Sequence, residues 1–469
     1  MLVFGASHAR SRDENNENRK QKRRAHPVSP RGRRPIRTCF RRSCQRSRHE
    51  GRTSRLDTDA AGGLLGLRNC PRRGNVAVSR QPVIVGVSDA PTHERGRALP
   101  GTHVLNMQRD CANEALAEAG LTMADVDGLA VAGMWGMPGP GAMQPNLLTE
   151  YLGIRFPKWL DGTNVGGSAF VLHAGHAYEM IKAGVCDTVL ILYGSMQKSQ
   201  AARSLGGRPA LFSNQWDMVS GLPSPAGAYA MAANRHMHDY GSTRETLAEI
   251  AVATRAWAGL NPKAAFRDPM SIDDVLGAAP IVDPLGRYDC CLVTDGGGAV
   301  VMTTEERARD LKTKPIYVLG HGESASHVNI NYMPNMAHLE VAEHASKRAY
   351  AQAGRGPDAM DMAMIYDSFT ITVLLTMEAL GLCGIGEGKD FVKGQRTAPG
   401  GEFPMNTNGG GLSYCHPGMY GIFLLIEATR QLRGDAGERQ VQGLTNAVCH
   451  GTGGVLSSGA TVVLSNTRD

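Results

Sequence analysis

Thr188-Val189-Leu190-Ile191-Leu192-Tyr193 is a run with no polar face. Successive side chains of a strand point to opposite sides, so a strand of this composition must be covered on both faces. It follows a turn at Asn164-Val165-Gly166-Gly167 and a segment of helical period that ends at Gly184. This strand-turn-helix-strand order recurs along the chain. In the first half it begins with the apolar run Pro82-Val83-Ile84-Val85-Gly86-Val87, continues through a helical segment over 102–120 stopped by Gly120, and reaches a strand over 128–133. Residues 197–285 break the rhythm, with helices around 228–239 and 243–257, and strand character returns from Asp295 to Met302. The second half predicts a strand over 316–320, a helix over 338–354, a strand over 362–365, a helix over 371–380 and closing strands near 444–448 and 460–464. Alternation of this kind predicts an α/β protein whose parallel sheet carries helices on both faces.

Charge divides the chain differently. Residues 1–78 hold 18 Arg and 2 Lys against 6 acids, so their surplus exceeds the chain's net +6 and leaves the remainder at −8. The basic stretch lacks hydrophobic periodicity and is expected to be disordered. Three readings of it stand open: sequence upstream of the true start, with Val76 or Val78 suiting an alternative start; a transit peptide; or a basic arm for an anionic partner. A mildly acidic body gives no reason to expect nucleic-acid binding. No run of eighteen apolar residues suggests a membrane span. Ten cysteines at irregular positions without a CxxC pair argue against a disulfide framework or zinc site, and a cytoplasmic location with free thiols is expected.

The most informative loop is Asn406-Thr407-Asn408-Gly409-Gly410-Gly411-Leu412-Ser413-Tyr414-Cys415-His416-Pro417-Gly418. Its glycines and asparagines permit tight turns with positive φ, and the apolar run from Ile422 to Ile426 starts a buried helix, so the loop delivers one imidazole to a helix mouth. It resembles, without a gap, the Asn-x-Asn-Gly-Gly-x-x-x-x-x-His-Pro loop of thiolases, whose histidine belongs to the catalytic centre. Two more segments fit the resemblance. Tyr366-Asp367-Ser368-Phe369 lies where thiolases carry Asn-Glu-Ala-Phe and sterol-carrier-type thiolases carry His-Asp-x-Phe, a loop that forms one side of an oxyanion hole. Cys449-His450-Gly451-Thr452-Gly453-Gly454 matches the terminal Cys-x-Gly-x-Gly, whose cysteine moves a proton at the substrate α-carbon. The fourth element departs from the pattern. Aligning Asn164, Ile181, Gly184 and Asp187 puts Gly167 in the slot of the nucleophilic cysteine.

The resemblance, over residues 82–469, implies the thiolase-like five-layer α/β/α/β/α fold built from two similar halves, 82–305 with the inserted region 197–285, and 312–469. It also implies a homodimer and an acyl-CoA substrate, with CoA entering as part of that substrate and no other cofactor bound. The catalytic candidates are His416, Tyr366, Cys449 and Tyr414. Each has a bland alternative: Tyr366 as a packed strand end, Cys449 as a buried structural thiol, Tyr414 as a replacement of an ordinary loop leucine. Ser168 reads as an N-terminal helix residue, His450 as a loop histidine and Asp295 as a turn maker. His173 and His176 share a helix face but lack a third ligand.

Without the nucleophile, acyl transfer loses its covalent step, whereas cleaving a carbon–carbon bond β to a thioester needs enolate stabilisation and a proton relay. Steroid side-chain retro-aldolases of this class resemble that case and work with a separate OB-fold, zinc-ribbon subunit. An acyl-CoA lyase of retro-aldol type is therefore the first expectation. A non-catalytic acyl-CoA or lipid-binding subunit scaffolding an OB-fold partner is the second, and an acetyl-CoA acyltransferase the third.

Overall fold

A computed structural model describes residues 80–90, 95–133, 143–199, 214–223 and 225–469. The basic stretch of 1–78 lies outside the described residues, as do parts of the inserted region. The first half comprises β1 (Pro82–Asp89), α1 (Val104–Ala119), β2 (Gly128–Val131), α2 (Gln144–Leu152), β3 (Trp159–Asp161), α3 (Ala169–Lys182) and β4 (Thr188–Ser195). The inserted region contributes α4 (Asn214–Val219), α5 (Ala226–Tyr240), α6 (Arg244–Gly259), α7 (Ile272–Leu276) and a ribbon of β5 (Pro280–Val282) with β6 (Leu285–Gly286). Then follow β7 (Gly296–Thr304), α8 (Glu305–Ala308), β8 (Ile316–Ala325), α9 (Glu340–Ala353), β9 (Met362–Ile365), α10 (Thr370–Ala379), α11 (Gly388–Phe391), α12 (Gly421–Arg433), β10 (Asn446–Gly453) and β11 (Ser458–Ser465).

The main strands run in the order β3-β2-β4-β7-β1-β8-β11-β10-β9, and the halves join edge to edge where Val83 and Ile84 of β1 pair with Tyr317 and Ile316 of β8. The expected all-parallel sheet is corrected to a mixed one. β2 lies parallel to β3 and β4, and β9 to β10, while β7 is antiparallel to both β1 and β4, and β11 to both β8 and β10. The reason lies in the connections. A parallel neighbour needs a crossover helix, but β10 reaches β11 by a tight turn and β4 reaches β7 only through the inserted region.

Side-chain alternation sorts the layers. Leu190, Leu192, Val301 and Val83 face α1 in one core, whereas Val189, Ile191, Met302 and Ile84 face inward onto α3 and α12. In the second half Ala363, Ile365, Val448 and Val463 face α9 and α10, and Met362, Met364, Cys449 and Val462 face inward onto the same central pair. Both α3 and α12 touch strands of each half. The result is the five-layer α/β/α/β/α arrangement. Each buried Leu, Ile or Val in these layers contributes about 1.5–3 kcal/mol relative to exposure, so every fully apolar strand is held from both sides.

Candidate functional site

β9 ends at Ile365, and the backbone is then pinned from two directions. Ile365 N–H donates to Asn406 Oδ1 at 2.7 Å, and Tyr366 N–H donates to the His450 carbonyl at 3.0 Å. Next, the buried carboxylate of Asp367 accepts from Gly411 N–H at 2.6 Å and Leu412 N–H at 3.1 Å. These two bonds hold one turn of π-helix over Gly410–Tyr414. Gly410 has φ +60, and a Cβ there would run into the Asp367 carboxylate, so the glycine run is what lets the acid approach the backbone. Burial raises the Asp367 carboxyl to about 7, against the pull of the two N–H bonds.

The loop leaves the turn extended through Cys415 and arrives at His416, whose backbone is bracketed by Thr294. His416 N–H donates to Thr294 Oγ1 at 2.9 Å and Thr294 N–H donates to the His416 carbonyl at 3.2 Å. Tyr193 O–H donates to the Pro417 carbonyl at 2.5 Å. So fixed, the imidazole Nε2 sits 2.7 Å from the Tyr366 hydroxyl, with the rings edge to face. Burial pushes the Tyr366 phenol well above its ordinary pKa, so it stays protonated. Tyr420 meets the Tyr366 ring edge-on from another side, its own hydroxyl donating to Asn408 Oδ1 at 2.8 Å.

Gly167 forms the facing wall. A Cβ built on it would lie 2.6 Å from Tyr366 Cζ and 2.6 Å from the Thr452 carbonyl oxygen. The space a nucleophilic side chain would take is already filled by the phenol ring. Neighbouring Ser168 is fully buried, donates to the Val165 carbonyl at 3.1 Å and lies 2.9 Å from Ser458 Oγ. Its hydroxyl is engaged away from the pair.

Of the four candidates, the structure brings Tyr366 and His416 together and places the other two elsewhere. Tyr414 lies apart from the pair. Its side chain leaves the loop on the opposite side and its hydroxyl donates to Asp89, which is ion-paired with Lys263 at 2.7 Å and Arg430 at 2.6 Å. Burial alone would raise the Asp89 carboxyl, but Arg430 and Lys263 overcome it and hold the group far below the usual range. Cys449 makes no hydrogen bond to the pair. In the β9–β10 register Cys449 pairs with Met364 and His450 with Ile365, so the residue beside Tyr366 on the inner face is Gly451. Cys449 lies one pleat earlier, its Sγ 3.6 Å from the Leu424 carbonyl, and burial pushes its thiol well up.

Other residues resolve similarly. His450 Nδ1 is 2.8 Å from Thr461 Oγ1, and burial lowers the imidazole to about 3. Asp295 accepts from the N–H groups of Ala98, Lys198 and Ser199. His176 is sandwiched between Asp161 at 2.6 Å and Glu323 at 3.3 Å, and His173 Nε2 is 2.9 Å from the Thr163 carbonyl. No cluster with metal-binding geometry occurs among the described residues. Sequence reasoning missed Asp367, Thr294 and Tyr420 as supports of the pair. For Asp367 a signal existed: a carboxylate directly after the candidate tyrosine, in a chain with a glycine run whose N–H groups need an acceptor.

The pattern of the thiolase C-terminal domain-like family matches residues 322–466. The 17-hydroxy-3-oxo-4-pregnene-20-carboxyl-CoA lyase of Mycobacterium tuberculosis is 32% identical over 401 residues, covering 81% of this chain and 99% of the relative. A steroid side-chain-cleaving aldolase of Thermomonospora curvata is 32% identical over 373 residues, 76% of this chain and 93% of the relative. A solved structure described as the Ltp2-ChsH2(DUF35) aldolase superposes with a TM-score of 0.73 at 29% identity, over 82% of this chain and 98% of that one. The chain belongs to the thiolase-like superfamily.

Proposed function

We propose that this protein is a carbon–carbon lyase of retro-aldol type acting on a β-hydroxyacyl-CoA thioester with a lipid or steroid acyl group, without a covalent acyl-enzyme. The observation that carries the reading is the Tyr366–His416 pair facing a glycine whose side-chain space is occupied by the Tyr366 ring. The two aldolase-type relatives and the aldolase structure support the reaction class. In this reading Tyr366 accepts the substrate's β-hydroxyl proton as its own proton passes to His416 Nε2, so a buried phenolate never stands alone. The Cα–Cβ bond breaks, the carbonyl product leaves, and the bond's electron pair forms the thioester enolate. The enolate then takes a proton at Cα from the imidazolium through Tyr366. One proton moves from oxygen to carbon, and the balance closes.

CoA enters as part of the substrate, not as a bound cofactor. A second subunit works with this chain, a reading favoured by the Ltp2-ChsH2(DUF35) pairing in the solved neighbour; an OB-fold, zinc-ribbon protein is the form we propose for it. The chain also pairs with a copy of itself through the edge of β3 that is unpaired among the described residues, where Leu160, Phe156, Tyr151 and Leu147 are exposed. Among the described residues no helix is long and apolar enough to cross a membrane.

The test is turnover of a β-hydroxyacyl-CoA, assayed with the partner subunit present. His416→Ala and Tyr366→Phe each lower turnover about 10²- to 10⁴-fold, the cost of losing general acid–base catalysis, and leave thioester affinity nearly intact. Unchanged turnover in both variants would sink the site assignment. Intact mass after incubation with acetyl-CoA should show no adduct, and an acyl group on Ser168 or Cys449 would return the protein to transferase chemistry.

A further inference from the structure

The retro-aldol reading leaves one developing charge without a partner. As the Cα–Cβ bond breaks, negative charge collects on the thioester oxygen, while Tyr366 and His416 are both occupied with the β-hydroxyl proton. An enolate in an enclosed site is stabilised by donors already aimed at its oxygen. Only Cβ, Cα and the carbonyl carbon separate the two substrate oxygens, so that donor has to stand beside Tyr366.

Cys291, Tyr229, Tyr193 and Asp367 lie close enough for their charges to act on the Tyr366 phenol. Three of them are unsuited to the task. Asp367 is spent on the N–H groups of Gly411 and Leu412, Tyr193 donates to the Pro417 carbonyl at 2.5 Å, and Cys291 offers a thiol, which is a weak donor. Tyr229 offers a phenol. Its hydroxyl reaches the Gly454 carbonyl at 3.4 Å, beyond the limit of about 3.0 Å for a good O–H···O bond, so turning it toward a substrate oxygen gives up little.

The placement of Tyr229 is fixed from three sides. Its ring stacks on Phe369, three residues after Tyr366, with centroids 4.2 Å apart. Its hydroxyl points at the turn that packs on the facing wall: a Cβ on Gly166 would lie 2.7 Å from Gly454 N, and Gly167, next in the chain, faces the Tyr366 ring. Two turns further along α5, His236 Nε2 stands 3.2 Å from both carboxylate oxygens of Glu378 on α10, and Nδ1 stands 2.8 Å from Ser242 Oγ, all three side chains being buried. Because α10 begins directly after the Tyr366–Phe369 segment, this pairing clamps α5 alongside it. Tyr229 is enclosed to the same degree as the pair, 3% exposed against 4% for Tyr366 and 8% for His416.

We propose that Tyr229 is a third catalytic residue, donating its hydroxyl to the thioester oxygen as the enolate forms. The role rests on the enolate chemistry proposed above. Tyr229 hydrogen-bonds and keeps its own proton, so the transfer among substrate, Tyr366 and His416 balances as before. Through α5 the inserted region thereby takes part in the reaction.

The experiment compares the parent with Tyr229→Phe, partner subunit present, in two assays. One is cleavage of a β-hydroxyacyl-CoA. The other is exchange of the Cα protons of propionyl-CoA with deuterium from D2O, which passes through a thioester enolate without breaking a carbon–carbon bond. Phenylalanine keeps the stack on Phe369, so the variant should melt with the parent. The expected result is a kcat lowered about 10²- to 10³-fold, the cost of one lost oxyanion donor, with KM nearly unchanged and exchange slowed in proportion. A group that only packs would instead shift the melting temperature or KM, and that result overturns the proposal. A parent that exchanges but does not cleave refutes the lyase reading, and the exchange rate of the variant still decides the role of Tyr229. Equal cleavage and exchange in parent and variant overturn the proposal and leave the lyase reading standing, whereas a parent that does neither overturns both.

Discussion

At the scale of single residues, Gly167 and Tyr366 cannot both be changed toward a thiolase-like centre independently. A Cβ at position 167 would meet both a ring carbon of Tyr366 and the Thr452 carbonyl oxygen within 2.6 Å, and only the ring can be cut back. Gly167→Ala is expected to cost about 1–3 kcal/mol, the range for overpacking a filled core. Tyr366→Ala in the same chain should recover part of that cost. A denaturant double-mutant cycle reads this directly, and additive losses would mean the ring is not what excludes a side chain. Gly167→Cys, for the same reason, should gain no thiolysis. Asp367 supplies a second residue-scale prediction. Its folded pKa of about 7 is raised above the ordinary carboxylate value, so the folded state holds the proton more tightly than the unfolded chain does. Its contribution to stability is therefore full at acid pH and is lost as pH rises through about 7. The melting advantage of the parent over Asp367→Asn should shrink between pH 5 and pH 8, and a gap that widens over that range would contradict the assignment.

Elements explain why some of the site was legible and some was not. The chain order of strands and helices, the turn at Gly167 and the loop that carries His416 could be read because apolar runs and glycine clusters are local signals. Tyr366 and His416 could be paired because each ends a segment that a strand or helix boundary fixes. What failed was anything set by register or by the direction in which a side chain leaves a turn. Cys449 lies two residues before Gly451, the inner-face position beside Tyr366, and no local pattern states which of the two β10 sets opposite Tyr366. Tyr414 sits two residues before His416, but the π-turn sends it to Asp89 on β1, joined there by Lys263 from the segment after α6 and Arg430 from α12. That network stitches four segments of the chain together. Removing its one acid by Asp89→Ala leaves two cations uncompensated and should cost about 3–5 kcal/mol. Tyr414→Phe, by contrast, should lower stability while leaving turnover close to the parent's, whereas Tyr366→Phe does the reverse. Parallel urea titrations and turnover measurements separate the two tyrosines. A Tyr414→Phe variant that folds normally but has lost turnover would return Tyr414 to the catalytic set.

For the whole molecule, the two ends of the main sheet are not equivalent. At one end β9 is followed by chain that covers it, with Ala363 bridged to Met405 and its N–H bonded to the Pro404 carbonyl. At the other end β3 pairs only with β2 among the described residues, which leave its outer edge open. An open edge is a template for another strand, and proteins that do not use one tend to guard it with charge, proline or a covering loop. Here Arg155, Pro157 and Lys158 stand just before the strand, and an apolar patch lies beside them. Leu160 on the strand is 39% exposed, Phe156 just before it 95%, and Leu147 and Tyr151 on α2 lie at 37% and 36%. Phe156 also has φ +53, a left-handed conformation that a bulky residue seldom adopts, so the chain presents this ring to the outside against its own backbone preference. A two-fold axis beside β3 would pair the strand with its own copy and bury these four side chains at once, since a two-fold interface repeats one patch on both subunits. The body should therefore sediment as a dimer. Leu160→Lys together with Phe156→Lys sets like charges opposite each other across that axis and should shift the mass in analytical ultracentrifugation to that of one chain. Secondary structure by circular dichroism should not change, because neither side chain contributes to a buried core. If the double variant remains dimeric, or the parent is already a monomer at micromolar concentration, the β3 edge is not the surface that joins the copies.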